Sequence, residues 1–595
     1  IHDGTILAAA QEERFSRIKH DPSFPSQAVA FCLNQSGISL SQLDAIVFYE
    51  KPRLKFQRIW DTFKQHAPSG YRAFMEATPL WLSDKIHQKK MIHDELARLA
   101  NDGSHWNGPL LFSEHHLSHA ASAFYPSPFE KAAVLTIDGV GEWATTSVAQ
   151  GDGKELNIIK EIHFPNSLGL LYAAFTSYLG FKVNSGEYKV MGLAPYGTPK
   201  FADLIFEKIV QLHDDGSFAL NMDYFSYCTS HNMTNDLFAA LFGGPARKAE
   251  TDLSQRDMDI AASIQVVTER IMCKLGRHIA QTLDTENLTL AGGVALNCVA
   301  NGILLRSGIF KNIWIQPAAG DAGGALGAAL AAYHLHFKHD RSITTGMDAM
   351  SGSYLGPSYN QDDIEESLGQ LGARWKSYHT DDMLVQASDL LADGKAIGWM
   401  QGRMEFGPRA LGSRSILADP RSAFMQKLLN LKVKFRESFR PFAPSILHDH
   451  LSDWFELTEP SPYMLLVAQI AAQHVIPMST SEKDLFGIDK LNIKRSTIPA
   501  VTHVDYSARV QTVHPETNPI YHDLISKFYD KTGCPILVNT SFNVRGEPIV
   551  CTTADAFHCF MGTDLDALIV GNCVLLKSEQ NSRLQRDYRD KYELD

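Results

Sequence analysis

Short apolar runs alternate with longer amphipathic stretches along the first half of the chain, and this order predicts an α/β fold. The apolar runs predict strands at residues 5–10, 44–49, 132–137, 145–150, 288–290 and 312–316. The amphipathic stretches predict helices at residues 26–35, 166–180 and 257–283. Residues 52–105 break the order, because they combine tryptophans and basic residues at helical spacing without glycine-rich turns. We interpret them as a helical insertion.

The chain starts on a turn signal. Asp3-Gly4 is typical of a β-hairpin, with residues 5–10 as its second strand. The sequence before Asp3 is too short to hold the first strand. We therefore expect one more strand to precede Ile1.

Composition and charge narrow the function. With 595 residues, 44% of them hydrophobic and 21% charged, the chain is long enough for several packed domains. No apolar run approaches the roughly 18 residues that cross a bilayer, so no membrane partner is expected. The formal net charge of -12 disfavours nucleic acid, since phosphate backbones select basic surfaces. Small-molecule partners fit this acidic charge better. Eight scattered cysteines without a CxxC pair, and the absence of a signal peptide, predict a cytoplasmic protein. A homodimer is left open.

Three predicted strands run into glycine-rich turns. The turns are Asp138-Gly139-Val140-Gly141, Ala291-Gly292-Gly293-Val294 and Gly320-Asp321-Ala322-Gly323-Gly324. Such turns expose backbone N–H groups to phosphate, and the last one opens a helix where a phosphate or a metal is expected. One turn alone is compatible with an ordinary hairpin. Three in one α/β region resemble the actin, hexokinase and Hsp70 type of nucleotide-binding fold, which implies an adenosine loop at Gly292-Gly293.

Two histidines four residues apart precede the first of these turns. If Ser113 caps a helix, His115 and His119 share one face, with Cβ atoms roughly 6 Å apart. Asp138, at the end of the next strand, brings a carboxylate to the same point. Two imidazoles with one carboxylate suit iron(II), manganese or zinc. The alternative is a pair of solvated or capping histidines.

A further glycine- and proline-rich segment, residues 186–197, carries Glu187 and Lys189. Spacing alone allows either a loop with chemistry on it or a solvated turn. Residues 341–360 lose periodicity and gain small and polar residues, which predicts a linker. We therefore assign residues 1–340 and 361–595 to separate domains.

Basic residues concentrate beyond the linker, although the chain is acidic overall. Arg409 lies in a turn rich in glycine and proline, and Lys434 and Arg440 follow it. Arginines held among Gly, Pro and Phe suit phosphate recognition, whereas a basic face paired with surface carboxylates is the alternative. An apolar run at 535–538 then leads into Asn539-Thr540-Ser541-Phe542-Asn543, so a buried strand delivers hydroxyls and amides to its end.

Seven segments together resemble the O-carbamoyltransferase family, which includes the nodulation protein NodU, the cephamycin enzyme CmcH and the tobramycin enzyme TobZ. The resemblance extends over nearly the whole chain. The segments that carry it are residues 11–15, 115–120, 186–197, 292–297, 405–414, 439–444 and 541–548. The resemblance implies an actin- and Hsp70-like (ASKHA) N-terminal domain that carries the helical insertion. It also implies a C-terminal YrdC-like α/β domain.

The resemblance further implies three groups of site residues. A metal of the iron(II) type is implied at His115, His119, Asp138 and Asp321. The adenylate is implied at Glu187, Lys189, Gly292, Gly293 and Asn297. Carbamoyl phosphate and ATP with Mg²⁺ are implied at Arg409, Lys434, Arg440, Arg509, Ser541 and Asn543. Catalytic roles are implied for His115, His119, Asp138, Arg409 and Lys434.

The implied reaction has two steps. Carbamoyl phosphate and ATP form carbamoyl adenylate, and the carbamoyl group then passes to a hydroxyl of a small-molecule natural product. Several phosphates meet in the first step, and the basic cluster supplies the opposite charge. Family members modify sugars, antibiotic precursors and, in cyanobacteria, saxitoxin-type toxins, so the acceptor is left open.

Two other functions are compatible with parts of the sequence. A tRNA threonylcarbamoyl-transfer fusion enzyme would contain both implied domains, but the acidic balance argues against tRNA. An actin-type ATPase that acts as a binding module would need neither the paired histidines nor the basic cluster. Conversion of ATP to AMP rather than ADP separates the last class from a carbamoyl adenylate-forming enzyme.

Overall fold

The structure, a computed structural model, describes residues 1–80, 87–100, 106–344, 346–437 and 439–585, together with Tyr588 and Tyr592. The chain divides into two compact units. The first comprises Ile1–Ala9 and Phe24–Ala349, and the second comprises Ala10–Ser23 and Met350–Asp595. The chain therefore passes from one unit to the other three times.

Helices occur in both units. In chain order they are α1 (Glu13–Ser16), α2 (Ser26–Ser36), α3 (Pro52–His66), α4 (Tyr71–Leu80), α5 (Gln88–Leu99), α6 (His115–Phe124), α7 (Leu168–Tyr178), α8 (Glu187–Leu193), α9 (Ala202–Lys208), α10 (Asp236–Leu241), α11 (Gln255–Leu283), α12 (Cys298–Arg306), α13 (Asp321–Ala331), α14 (Gln361–Gln370), α15 (Thr380–Ala392), α16 (Met425–Leu428), α17 (Leu451–Trp454), α18 (Thr480–Lys483), α19 (Pro519–Thr532) and α20 (Thr553–Met561). The long helix α11 begins at a capping box formed by Ser254 and Asp257. Within the described ranges, no helix has the length and apolar character needed to span a bilayer.

The first unit is built around a five-stranded sheet. In chain order, the strands of this unit are β1 (Ile46–Phe48), β2 (Leu110–Phe112), β3 (Lys131–Ile137), β4 (Ala144–Asp152), β5 (Glu155–His163), β6 (Val210–Leu212), β7 (Phe218–Leu220), β8 (Asn287–Ala291) and β9 (Asn312–Ile315). The sheet order is β5-β4-β3-β8-β9, with β3, β8 and β9 parallel and β4 antiparallel to both neighbours. The apolar strand β3 is buried on both faces. Because parallel strands end at one edge, the three glycine-rich turns meet there.

The second unit is built around a mixed nine-stranded sheet. Its strands are β10 (Lys376–Ser377), β11 (Ile397–Met400), β12 (Arg414–Ala418), β13 (Ala443–Leu447), β14 (Leu466–Gln469), β15 (Ser507–Val513), β16 (Ile536–Ser541), β17 (Ala567–Val570) and β18 (Cys573–Leu576). The order is β10-β18-β17-β11-β12-β16-β13-β15-β14. Strand β16 is antiparallel to β12 on one side and to β13 on the other. Its carboxyl end carries Ser541, which pairs with Ser415 across the sheet.

These elements confirm the predicted α/β class. The insertion at residues 52–105 contains α3, α4 and α5, so its helical character is confirmed where the structure describes it. Residues 81–86 and 101–105 of the insertion lie outside the described residues.

Two local predictions are wrong. Residues 5–10 form no strand, and the turn at Asp3-Gly4 closes only an isolated bridge between His2 and Thr5. The physical reason is that a strand needs a neighbouring strand, and none of the sheets in the described part of the chain includes residues 5–10. Residues 186–197 form not a loop but α8 and a following 3₁₀ turn, because Gly186 accepts the N–H groups of Lys189 and Val190.

The domain limits also need correction. Residues 10–23 do not belong with the first unit, since the Arg14 side chain binds the Gly407 carbonyl at 3.0 Å and Arg17 binds the Ile549 carbonyl at 2.7 Å. The break between Ala349 and Met350 falls inside the predicted linker at 341–360.

That predicted linker is held to the units by hydrogen bonds on both sides of the break. Arg341 donates to four backbone carbonyls of the first unit, those of Phe124, Tyr125, Ser127 and Phe129. Ser353 donates to the Phe406 carbonyl of the second unit. The loss of periodicity in this stretch therefore reflects an irregular segment whose side chains are hydrogen-bonded to the two units.

Candidate functional site

Helix α6 starts on a carboxylate from another element. The prediction that Ser113 caps this helix is wrong. Glu114 occupies the N-cap position, and its side chain forms no capping hydrogen bond. Both carboxylate oxygens of Glu142 lie 3.1 Å from the His115 backbone nitrogen, and one also accepts from the Lys51 nitrogen at 2.7 Å. Since the bare N–H groups of a helix start favour negative charge, Glu142 stabilises this helix and fixes it to the β3–β4 connection.

Four predicted metal residues converge on one point. The Nε2 atoms of His115 and His119 lie 3.2 Å apart. An Asp138 oxygen lies 2.9 Å from the first and 3.5 Å from the second. Asp321, the first residue of α13, places an oxygen 3.7 and 3.6 Å from the same two nitrogens. The four ligand atoms lie within 4.8 Å of one another, and we call these residues the imidazole–carboxylate cluster.

A glycine brings the two contributing helices together. Gly327 of α13 faces α6 so closely that a Cβ atom there would overlap the carbonyl oxygen of Ser118. Only the absence of a side chain permits this approach. The small-residue run of α13 therefore serves to place Asp321 beside the histidines of α6.

Charge within the imidazole–carboxylate cluster is strongly coupled. Burial disfavours the imidazolium of His119, but hydrogen bonds to Asp138 and Asp321 outweigh it and raise the pKa of His119 to about 9. Burial disfavours the carboxylate of Asp138, yet the hydrogen bonds from His115 and His119 hold its pKa well below the ordinary value. His116 faces away, with Nδ1 3.0 Å from the Ser147 hydroxyl, and burial lowers its pKa to about 3.

A further carboxylate lies behind His115. An oxygen of the buried Glu50 is 3.9 Å from His115 Nδ1, and Lys55 pairs with Glu50 at 2.7 Å. At this distance Glu50 contributes a nearby negative charge rather than a hydrogen bond to His115. The sequence reasoning missed Glu50 and Glu142. The available signal was that Glu50 closely follows strand β1, as Asp138 follows β3.

The insertion reaches the turn that carries Asp138. Arg58 of α3 is buried, donates to the Gly141 carbonyl, and stacks on the Phe164 ring at 5.3 Å. Burial lowers the pKa of Arg58 to about 10. The helical insertion is therefore anchored directly beside the imidazole–carboxylate cluster.

The predicted adenosine loop adjoins the same cluster. The Gly293 nitrogen donates to Asp138 Oδ1 at 3.0 Å. Gly292 has φ +89, and a Cβ atom there would overlap the carbonyl of Ile137, so this loop crosses tightly over the end of β3. Asn297 caps α12 and exchanges two hydrogen bonds with Gln265 of α11, at 3.0 and 3.1 Å.

Glu187 and Lys189 lie on α8, a helix that packs against α11. Burial raises the pKa of Glu187. The Tyr172 hydroxyl donates to Gln265 at 3.0 Å, and burial together with Glu187 raises the pKa of that hydroxyl. Glu187 and Asn297 thus share one polar neighbourhood through Tyr172 and Gln265. Lys189 is buried, with its ammonium 5.7 Å from the centre of the Phe181 ring.

In the second unit, the structure joins Lys434, Ser541 and Asn543, which we call the lysine cluster. The buried ammonium of Lys434 donates to the carbonyls of Ser541 at 2.7 Å and Asn543 at 2.8 Å. It also reaches the Asn543 side-chain oxygen at 2.6 Å and the Ser541 hydroxyl at 3.2 Å. Burial, and next the charge of Arg436, lower the pKa of Lys434 well below its ordinary value.

Further basic side chains share a carboxylate. Arg440 and Arg545 lie 3.6 and 3.5 Å from different oxygens of Glu437. Arg436 stacks on the Phe442 ring at 4.7 Å. The arginines are thus held in place by a carboxylate and a ring.

Arg509 lies on the face of the sheet that also carries Ser541. Side chains alternate along strands, so Arg509 shares a face with Gln511 on β15, and Ser541 shares a face with Asn539 on β16. Gln511 and Asn539 face the same side, since their side chains are hydrogen-bonded at 2.7 Å.

The segment with Arg409 covers that face. Gln511 donates to the Leu411 carbonyl at 2.7 Å, and Asn539 donates to the Ala410 carbonyl at 3.1 Å. Arg409 directly precedes Ala410. The predicted basic residues of the second unit therefore gather around the carboxyl end of β16.

Two family models match the chain. The model of the carbamoyltransferase N-terminus matches residues 1–330, and that of the carbamoyltransferase C-terminus matches residues 388–577. The chain belongs to the carbamoyltransferase family. The predicted resemblance and the predicted class of enzyme are thereby confirmed.

Curated relatives agree with this assignment. An uncharacterized protein of Synechocystis sp. is 56% identical over 100% of this chain and 97% of its own. The nodulation protein NolNO of Sinorhizobium fredii is 37% identical over 97% and 78%, and NolO of Bradyrhizobium diazoefficiens is 40% identical over 78% of each chain. Among solved structures, HypF of T. kodakarensis aligns over 40% of this chain and 38% of its own, with 16% identity and a TM-score of 0.21, which is too low to establish a shared fold.

Proposed function

We propose that the protein is an O-carbamoyltransferase that forms carbamoyl adenylate from carbamoyl phosphate and ATP and then transfers the carbamoyl group to a hydroxyl of a small-molecule natural product. The first unit acts as an actin- and Hsp70-like (ASKHA) transfer domain, and the second as a YrdC-like adenylate-forming domain. The observation that carries this proposal is the pair of clusters with opposite charge, one in each unit. The membership in the carbamoyltransferase family supports it.

The first step belongs to the lysine cluster and the arginines around it. Atom balance requires that water release phosphate from carbamoyl phosphate. An oxygen of the resulting carbamate then attacks the α-phosphorus of ATP, and the bond to pyrophosphate breaks. Lys434, Arg440 and Arg509 hold the phosphate oxygens, with Mg²⁺ bound to the ATP, while Arg409 stabilises the charge on the departing pyrophosphate. Ser541 and Asn543 orient the Lys434 ammonium through the hydrogen bonds described above.

The second step belongs to the imidazole–carboxylate cluster. The acceptor hydroxyl attacks the carbamoyl carbon, the carbonyl oxygen gains negative charge, and AMP leaves. The adenylate is held by Glu187, Lys189 and Asn297 and by the backbone of Gly292 and Gly293. The Gly293 nitrogen, which donates to Asp138, ties this loop to the transfer site.

The cluster fits a divalent metal such as iron(II). Two imidazole nitrogens and two carboxylate oxygens lie within 4.8 Å of one another, and the carboxylate of Glu50 adds negative charge behind His115. Mixed nitrogen and oxygen donors of this kind suit first-row divalent metals. A metal bound there supplies Lewis acidity to the carbonyl oxygen during transfer.

The test is the fate of ATP. The purified full-length chain is incubated with ATP and Mg²⁺, with and without carbamoyl phosphate. We expect pyrophosphate release that depends on carbamoyl phosphate, with AMP released when a hydroxyl acceptor is added. Formation of ADP and phosphate instead would favour an actin-type ATPase and overturn the adenylate mechanism.

A further inference from the structure

Residues 10–23 come early in the chain but pack within the second unit. Phe15 packs against Met404, Ile549 and Cys551, which form a small buried hydrophobic cluster. Such an apolar anchor, formed so far away in sequence, fixes the position of the segment. We call residues 10–23 the early segment.

Arg17 ends helix α1 in a left-handed conformation, with φ 61, and turns its side chain into the second unit. Its guanidinium donates to the carbonyls of Ile549 at 2.7 Å and Pro548 at 2.9 Å. It also pairs with Glu547 at 3.0 Å and with Asp555 at 3.3 Å. A planar fork of donors that is satisfied on all sides holds these groups more rigidly than an ammonium could.

Glu547 is the partner of interest. It is 1% exposed, and one of its oxygens accepts from Arg17 and from the hydroxyls of Tyr588 at 3.0 Å and Tyr592 at 3.1 Å. Its other oxygen accepts the Val544 nitrogen at 3.0 Å. Because a buried carboxylate needs compensation, removing Arg17 would disturb the whole turn from Asn543 to Glu547.

That turn orients the lysine cluster. The Asn543 amide donates to the Glu547 carbonyl at 2.6 Å, and this contact fixes which way its oxygen points. The same oxygen accepts from Lys434 at 2.6 Å and from the Ser541 hydroxyl at 2.7 Å. Arg17 thus binds the Glu547 carboxylate, and the backbone carbonyl of the same residue binds Asn543, which in turn binds the ammonium of Lys434.

The early segment also touches the arginine turn. Arg14 is buried and donates to the carbonyl of Gly407 at 3.0 Å. Gly407 lies two residues before Arg409. We call the turn with Arg409 and the turn that orients Lys434 the anion-binding region. The early segment contacts the first turn through Arg14 and the second through Arg17.

We propose that Arg17 is a positioning residue for carbamoyl adenylate formation, and that the early segment completes the anion-binding region of the second unit. This inference rests on the proposed function. It makes residues far from Lys434 in sequence necessary for the first step, although Arg17 itself touches no substrate.

The test uses full-length variants and pyrophosphate release at varied ATP. Arg17→Ala is expected to lower kcat about tenfold, as loss of an orienting partner does, with the KM for ATP within about twofold. Arg17→Lys, which can still pair with Glu547, is expected to recover most of the rate. Glu547→Gln is expected to match Arg17→Ala, and the double variant is expected to be no slower than either, since both changes act on one chain of contacts.

Asp555→Asn is the matched control. It removes the other ion pair of Arg17 and weakens the cap of α20, where Asp555 accepts the Thr552 nitrogen at 2.9 Å, but it leaves Glu547 in place. We expect a lower unfolding temperature with kcat retained. Loss of kcat in Asp555→Asn as large as in Arg17→Ala, or losses that multiply in the double variant, would reduce Arg17 to a purely structural residue and overturn the inference.

Hydrogen exchange separates this inference from the proposed function. Amides from Ser541 to Val550 are expected to exchange faster in Arg17→Ala than in wild type or Asp555→Asn. If wild type releases no pyrophosphate, the proposed function fails and the inference fails with it, whereas the exchange data test the inference when pyrophosphate is released. Equal exchange in all three proteins overturns it.

Discussion

The two units treat charge in opposite ways. In the first unit, two carboxylates face two imidazoles at one point, and a third carboxylate, Glu50, lies behind His115. In the second unit, the buried ammonium of Lys434 is surrounded by neutral oxygens of Ser541 and Asn543. The first arrangement favours a bound cation, and the second, with Arg436 and Arg440 nearby, favours a bound anion.

Under the proposed function, this difference gives a reason for the use of two units in one chain. A phosphate-rich transition state and a carbonyl that needs a Lewis acid make conflicting electrostatic demands on a single pocket. Separate clusters meet each demand without compromise. Variants in one cluster are therefore expected to affect one step only.

The strongest test is His119→Ala, which removes one of the two convergent imidazoles. We expect acceptor carbamoylation to fall at least about 100-fold, because several kcal/mol of charge stabilisation is lost. Pyrophosphate release is expected to stay within about twofold, since the proposed first step uses residues of the second unit only. Transfer is measured as AMP release with a hydroxyl acceptor found by screening.

His116→Asn is the control for this variant. His116 lies on the same helix but bonds to Ser147, outside the imidazole–carboxylate cluster. Its transfer rate is expected to remain close to that of wild type. A parallel loss of pyrophosphate release in His119→Ala would show that the two steps do not occupy separate clusters.

Arg409→Ala is the converse test. A charge-assisted contact that strengthens as pyrophosphate departs contributes about 3 kcal/mol, so we expect pyrophosphate release to fall about 100-fold. Transfer from synthetic carbamoyl adenylate is expected to stay nearly intact. The exposed Arg374, in the same unit, provides Arg374→Ala as a control with no effect. Equal loss in both assays would mean that Arg409 maintains the fold.

Metal binding should sharpen the contrast through stability. With Mn²⁺ at about 100 times its Kd, we expect the first unit to gain about 2.7 kcal/mol over the chelated protein. The gain arises because the cation binds the assembled cluster of the folded unit and not the unfolded chain. Thermal unfolding with and without Mn²⁺ measures it, and Asp138→Asn is expected to abolish it. An unchanged gain in that variant would place the metal elsewhere.

The smallest expected effect concerns the start of α6. Glu142→Gln weakens the charged cap on the His115 nitrogen and is expected to destabilise the first unit by about 1 kcal/mol. Ser113→Ala is expected to change nothing, since the Ser113 hydroxyl only approaches the Glu114 carbonyl at 3.4 Å. Denaturant unfolding compares the two, and a larger effect of Ser113→Ala would contradict the assigned cap.

The success of the sequence-based predictions depended on how local the cause was. Strand β3 is a continuous apolar run and helix α11 is long and periodic, so their positions were predictable within two residues. The convergence of the imidazole–carboxylate cluster was predictable because His115 and His119 share a helical face, while Asp138 and Asp321 adjoin element ends. Backbone direction alone brings such positions together.

The remaining features depend on distant partners. Glu142 caps a helix that begins 27 residues earlier, and nothing in its own surroundings in the sequence marks it. Helix α8 was read as a loop because its seven residues are too short to show a period. The early segment carries a family pattern, yet local pattern contains no information about partners hundreds of positions away in the sequence.

The separation between Arg17 and Glu547 has a consequence during synthesis. These residues are 530 positions apart. At about 5–20 residues per second, the ribosome delivers Glu547 roughly 30–100 s after Arg17. During that interval the early segment lacks the residues of the second unit against which it packs, while the intervening first unit can fold. Final closure of the second unit is therefore among the last events in the maturation of the nascent chain.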